Sequence, residues 1–142
     1  MVNADLQKAK ELLQSDGYTC VLCKGGQTHV SFDRGVKPLL AWLEQGVDLG
    51  GFSAADRVVG KAAACLYVLM EIRELYTPVV SQPALEVLRR YNIPCVYEQV
   101  VPAIRNRAGD GFCPMEEAVK EIDHPQQALQ AVKITLRRLQ SR

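Results

Sequence analysis

From Val58 to Ile72 the chain reads Val-Val-Gly-Lys-Ala-Ala-Ala-Cys-Leu-Tyr-Val-Leu-Met-Glu-Ile, and between Ala62 and Met70 the only polar group is the Tyr67 hydroxyl. Alanine, leucine and methionine favour a helix. A helix that is apolar nearly all round has no face to give to water, so it must lie buried between other layers. The apolar run is far too short to cross a bilayer. This one segment therefore demands a layered fold, and the rest of the chain has to supply the layers.

The remaining pattern does so. Asn3 suits the cap of a first helix whose stripe is Leu6, Ala9, Leu12 and Leu13, up to Gly17. Tyr18–Lys24 and Thr28–Phe32 read as strands joined by a Gly25-Gly26-Gln27 hairpin turn. A second helix covers Pro38–Gln45, and the apolar helix starts at Ser53 or Asp56 and ends near Glu74. Leu75–Val79 is a strand, Ser81 or Gln82 opens a helix with Ala84, Leu85, Leu88 and Tyr91 on one face, and Ile93–Val101 is another strand. A short helix runs from Pro114 to about Ile122, and Asp123-His124-Pro125 breaks the chain before a last helix with Leu129, Val132, Leu136 and Leu139 in line. Helix, hairpin and helix followed by strand–helix–strand predicts an α/β domain spanning residues 1–142, a three-layer α-β-α sandwich around a mixed sheet.

Composition bounds the function. At 142 residues, 48% hydrophobic and 23% charged, the chain can bury a substantial core. A net charge of +1 gives no broad electrostatic grip on nucleic acid. The start, Met-Val-Asn-Ala-Asp-Leu, has no apolar signal core, and no membrane contact is expected. Five cysteines, an odd number, fit a reducing compartment. A cytoplasmic protein is the expectation. Cys20 and Cys23 have the spacing of a zinc or redox motif, but residues three apart on a strand face opposite sides of the sheet. They read as core thiols, and no metal or cofactor is expected.

The chemistry concentrates between Arg105 and Glu117: Arg-Asn-Arg-Ala-Gly-Asp-Gly-Phe-Cys-Pro-Met-Glu-Glu. Pro114 suits the first helical position, Glu116 stands where a capping-box carboxylate would, and Cys113 falls at the cap. A cation-rich loop feeding a helix N-terminus is built like an anion site. Arg105 and Arg107 alternate, so both can face one phosphate or carboxylate, with Asn106, Asp110 and Gly111 beside them. A helix N-terminus and nearby arginines favour the Cys113 thiolate, while Glu116 and Glu117 oppose it. Lys61 is the lone cation of the apolar helix and follows Gly60, which lets another group come close. Asp56 reads as a cap or as a partner for Lys61. Trp42 and Tyr67 read as packing. His29 and His124 have no neighbour at ligand spacing.

The element order, with its buried helix ahead of a strand–helix–strand unit, resembles the cytidine-deaminase-like fold. Zinc deaminases of that fold carry their metal ligands at the starts of two helices. Here the equivalent stretches are Val59-Gly60-Lys61-Ala62 and Thr77-Pro78-Val79-Val80-Ser81, which lack the histidine, glutamate and cysteines a zinc deaminase needs. Arg34-Gly-Val-Lys-Pro-Leu39, Asp56-Arg-Val-Val-Gly-Lys-Ala-Ala63, Tyr76-Thr-Pro78 and Gly111-Phe-Cys-Pro-Met-Glu116 are together similar to an uncharacterised prokaryotic family, domain of unknown function 1893. That resemblance covers almost the whole chain and implies the fold without its metal site. Relatives of the fold include formyl-transfer domains that act on a nucleotide without zinc, which implies a nucleotide-like ligand.

Three functional readings follow. The first is a zinc-free protein binding a small anionic or nucleotide-like ligand at helix starts near Lys61 and Ser81, with Arg105, Asn106, Arg107, Asp110 and Gly111 closing the site. The second is a group-transfer or hydrolytic enzyme using Cys113 as nucleophile or Lys61 as acid and base. The third is a self-associating scaffold, a homo-oligomer in which the Leu129–Leu139 stripe is an interface.

Overall fold

A computed structural model of the chain describes residues 3–105, 109, 111 and 113–141. Its elements in order are α1 (Ala4–Ser15), β1 (Cys20–Lys24), β2 (Gln27–Ser31), α2 (Lys37–Glu44), β3 (Ser53–Asp56), β4 (Val58–Val59), α3 (Lys61–Met70), β5 (Glu74–Ser81), α4 (Gln82–Arg90), β6 (Cys95–Val101), α5 (Pro114–Val119) and α6 (Pro125–Gln140).

The sheet is mixed. The β1–β2 hairpin is antiparallel, and β1 also pairs antiparallel with β3. From there the strands are parallel: β3 and β4 both pair with β5, and so does β6. Because β6 follows β5 from Leu75 to Ser81, it occupies one edge of that strand. β3 and β4 must therefore share the other edge, one after the other. The ladder breaks between them at Arg57, whose N–H turns to the Thr19 carbonyl and whose guanidinium reaches the carbonyls of Tyr18 (2.7 Å) and Leu13 (3.2 Å).

Helices cover both faces unequally. On one face α1 alone buries Leu6, Ala9 and Leu13 against Val21, Cys23, Ala55 and Tyr76. Asn3 caps it, its Oδ1 accepting from the amides of Asp5 and Leu6. On the other face α3 buries Ala62 to Tyr67 without interruption, with α2, α4, α5 and α6 around it and Leu22, Ala54, Leu75 and Val80 of the sheet in the same core. The all-round apolar helix is thus enclosed, as its sequence demands. Burial of a side chain such as Leu66 contributes about 1.5–3 kcal/mol.

Cys20 joins the α3 core and Cys23 the α1 core, so the two thiols do lie on opposite faces. All five cysteines are free. Of the Leu129–Leu139 stripe, Leu129 and Val132 are buried in the α3 core and Leu136 packs against it. Among the described residues no helix is long and apolar enough to cross a membrane.

One expectation fails. Ser53–Val59 does not begin the apolar helix but forms β3 and β4, and α3 starts only at Lys61. Ser53-Ala-Ala-Asp reads as a helix start because alanine favours helices and serine or aspartate caps them. Burial on both faces overrides that propensity, since a strand enclosed by two layers needs no polar alternation. The residue that stops helix from strand is Gly60, in extended backbone at φ −99° and ψ −179°.

Candidate functional site

Parallel strands that end together leave a crevice at their carboxyl edge, where the following helices begin. Here β4 runs into α3 and β5 into α4, so two helix N-termini stand side by side beyond adjacent strands. A helix start leaves amides without partners. At α4 the chain supplies its own cap, the Ser81 Oγ accepting from the Ala84 amide at 3.2 Å. At α3 the cap residue is Gly60, which has no side chain to offer.

The acceptor comes from elsewhere in the sequence. The Glu116 carboxylate of α5 accepts from the Lys61 amide at 2.6 Å through Oε1 and from the Ala62 amide at 3.0 Å through Oε2. The Lys61 side chain returns the contact, its Nζ donating to the Lys120 carbonyl at the end of α5 at 3.1 Å. α3 and α5 are therefore clasped by two reciprocal caps. Burial pushes the Glu116 carboxyl above the usual carboxylate range, against the pull of the two amides and of the Lys61 charge.

This corrects the local reading of both residues. Glu116 does not close a capping box on Cys113, whose N–H instead donates to the Ile104 carbonyl at 3.1 Å. Lys61 does not pair with Asp56. Gly60 does let another group come close, and that group is a side chain of the protein itself.

Beside the clasp lies a pocket of about 170 Å³. Pro83, Pro102, Ala103 and Ile104 supply apolar walls, while Lys61, Ser81, Glu116, Glu117 and Lys120 supply the polar lining. An enclosed apolar cavity of roughly 150 Å³ is enough to take benzene, so the apolar part of this open pocket has room for a ring of that size.

Of the expected site residues, the structure brings Lys61 and Ser81 together here. Cys113 is half-buried at the start of α5, Gly111 is half-buried and Arg105 is exposed, and none of the three lines the pocket. Asn106, Arg107 and Asp110 lie outside the described residues. His29 packs on β2 against Trp42 and Phe52, and His124 stands at the N-cap position of α6 without a side-chain capping bond. Among the described residues no three His, Cys, Asp or Glu side chains gather as metal ligands would.

A second polar cluster has no signature in the sequence. The Tyr67 hydroxyl donates to Asp56 Oδ2 at 2.7 Å, and the Cys20 thiol lies 3.2 Å from the same hydroxyl. With the phenol proton committed to Asp56, the S–H is left to donate to the phenol oxygen. All three groups are buried. Desolvation raises the Asp56 carboxyl to about 7, although Tyr67 and the N–H groups of Arg57 and Val58 favour its ionised form. Asp56 thus terminates β3 and anchors α3 through Tyr67 rather than capping a helix.

A family model described as a domain of unknown function (DUF1893) matches residues 8–136. No curated protein matches the chain. Among solved structures, a DUF1893 family protein from Thermotoga maritima aligns with a TM-score of 0.83 at 26% identity, covering 97% of this chain and 92% of that one. A diaminohydroxyphosphoribosylaminopyrimidine deaminase/5-amino-6-(5-phosphoribosylamino)uracil reductase from Thermotoga maritima aligns with a TM-score of 0.42 at 16% identity, over 66% of this chain and 35% of that one.

Proposed function

The chain belongs to the DUF1893 family, whose description carries no activity, and on that footing we propose from the site alone that it binds a small nucleotide-like molecule beyond the ends of β4 and β5. The observation that carries this reading is the pocket itself, placed where two helices begin at the carboxyl edge of parallel strands and walled by two prolines, an alanine and an isoleucine. A single heteroaromatic ring fills the apolar part. An anionic group on the same molecule reaches the Lys61 and Lys120 ammonium groups at the rim. Lys61 already serves the Lys120 carbonyl, so the anion exchanges a neutral acceptor for a charged one, a stronger hydrogen bond.

The α3 amides themselves are not offered to the ligand, because Glu116 holds them. The nucleophile reading has less to stand on, since Cys113 does not line the pocket.

A thermal-shift titration with pyrimidine and purine nucleoside monophosphates tests the reading. A ligand specific for the native state raises the melting temperature with concentration. The pyrimidine forms should do so, and Ala103→Trp, which fills the apolar wall, should abolish the rise. No rise with any of them, or a rise that Ala103→Trp leaves intact, contradicts the proposal.

A further inference from the structure

The C-terminal segment is electrostatically one-sided. From His124 to Arg142 it holds Lys133, Arg137, Arg138 and Arg142 and no acidic residue, in a chain whose net charge is only +1. Two of those cations, Lys133 and Arg137, stand four residues apart on α6, where like charges share a helix face and repel. They open onto a second cavity, about 350 Å³, between α6 and α2. Lys37 enters the same cavity from α2, where it stands in the first turn, the end of a helix least favourable to a cation.

Among the described residues, the side chains of Lys37, Lys133 and Arg137 have no hydrogen bond and no ion pair; the one ion pair there is Arg73 with Glu74. Glu44 lies in the cavity but within salt-bridge distance of none of the three. Leu40 and Leu136 add apolar surface to the lining.

We propose that the α2–α6 cavity is a second binding site, for a phosphate-bearing small molecule. Lys133 and Arg137 lie about 6 Å apart along the helix axis at a rise of 1.5 Å per residue, with Lys37 opposite. That disposition grips a diphosphate from two walls. Glu44 offers an acceptor for hydroxyl groups on the rest of the molecule. Cations converging on a concavity suit a compact anion. A nucleic-acid backbone requires a stripe of them, and Glu44 would interrupt it.

Isothermal titration of the protein with inorganic pyrophosphate at low ionic strength tests the site. We expect saturable binding at one equivalent, weakened at least tenfold by Arg137→Ala and by Lys133→Ala, and weakened less by Arg137→Lys. Ala103→Trp, at the other pocket, should leave it unchanged. No binding at millimolar pyrophosphate overturns the proposal. So does binding lost with Ala103→Trp but kept in Arg137→Ala, which would place pyrophosphate in the first pocket. Binding of a single-stranded RNA through the same residues without pyrophosphate binding would overturn it in favour of nucleic acid.

Discussion

Glu116 occupies the space that a side chain at position 60 would need. A Cβ on Gly60 would stand 2.3 Å from Glu116 Oε1 and 2.5 Å from its Cδ. The glycine is thus required by a contact between α3 and α5 and not by backbone conformation, since φ at −99° is open to any residue. Residues far apart in sequence act as one joint.

A double-mutant cycle measures that joint. Glu116→Ala leaves two α3 amides without their acceptor and should cost about 1.5–3 kcal/mol, the range for hydrogen bonds to a charged group. Gly60→Ala should be destabilising in the natural background, where it displaces the carboxylate. In the Glu116→Ala background it should cost markedly less, because the space is then free. Denaturant unfolding of the four proteins gives the coupling. Purely additive costs would show that the two residues do not meet.

Asp56 makes stability depend on pH. Its folded-state value of about 7 lies above the ordinary 3.8, so the native state holds the proton more tightly than the unfolded chain. The stability this contributes is complete below about pH 4 and is lost as pH rises through 7. At 1.36 kcal/mol per unit the change is roughly 4 kcal/mol at most. Glu116 is raised by burial too and acts with the same sign. Comparing the natural protein with Asp56→Asn from pH 4 to 8 isolates the Asp56 part, whatever constant offset the substitution brings. The variant should have the flatter curve. Parallel curves would remove Asp56 as the source.

The thiols should separate by reactivity. Burial pushes Cys65 and Cys95 up to about 11 and raises Cys20 and Cys23 as well. Alkylation requires the thiolate, so these four should react slowly in the native protein. Cys113 should give the one fast phase at pH 8, and Cys113→Ser should remove it. Nucleoside monophosphates should not protect it, because it does not line the pocket. Protection would instead bring Cys113 to the ligand and revive a nucleophilic role.

The sequence carried the frame of the fold because its signals are local. The α3 composition, the Gly25-Gly26 turn, the Asn3 and Ser81 caps and the proline at α6 each decide their own neighbourhood. The fold class read from them, a mixed sheet between helical layers, is the observed one. β3 is hidden because Ala54 and Ala55 carry helix propensity and burial on both faces leaves no alternation, and β4, only Val58–Val59, is too short to show any. Gly60, a breaker inside an apparent helix, was the available warning.

The site was half legible. Lys61 and Gly60 stood out as exceptions in an apolar run, and both belong to the clasp. Glu116 is not legible this way, since capping-box logic looks three residues back and its partners lie 55 and 54 residues away. The Asp56–Tyr67–Cys20 cluster was invisible for the same reason: strand and helix must be assembled before a carboxylate meets a phenol and a thiol. Lys37 and Lys133 likewise share a cavity only once α2 lies beside α6.

Amide-resolved NMR reads binding of a nucleotide-like molecule beside the clasp residue by residue. Titration of ¹⁵N-labelled protein with uridine and cytidine monophosphate should move the amides of Lys61, Ala62, Ser81, Ala103 and Ile104 together, along one saturable curve, with Lys133 and Arg137 responding separately or not at all. Unmoved amides around the pocket at millimolar nucleotide, or shifts confined to α2 and α6, would contradict it.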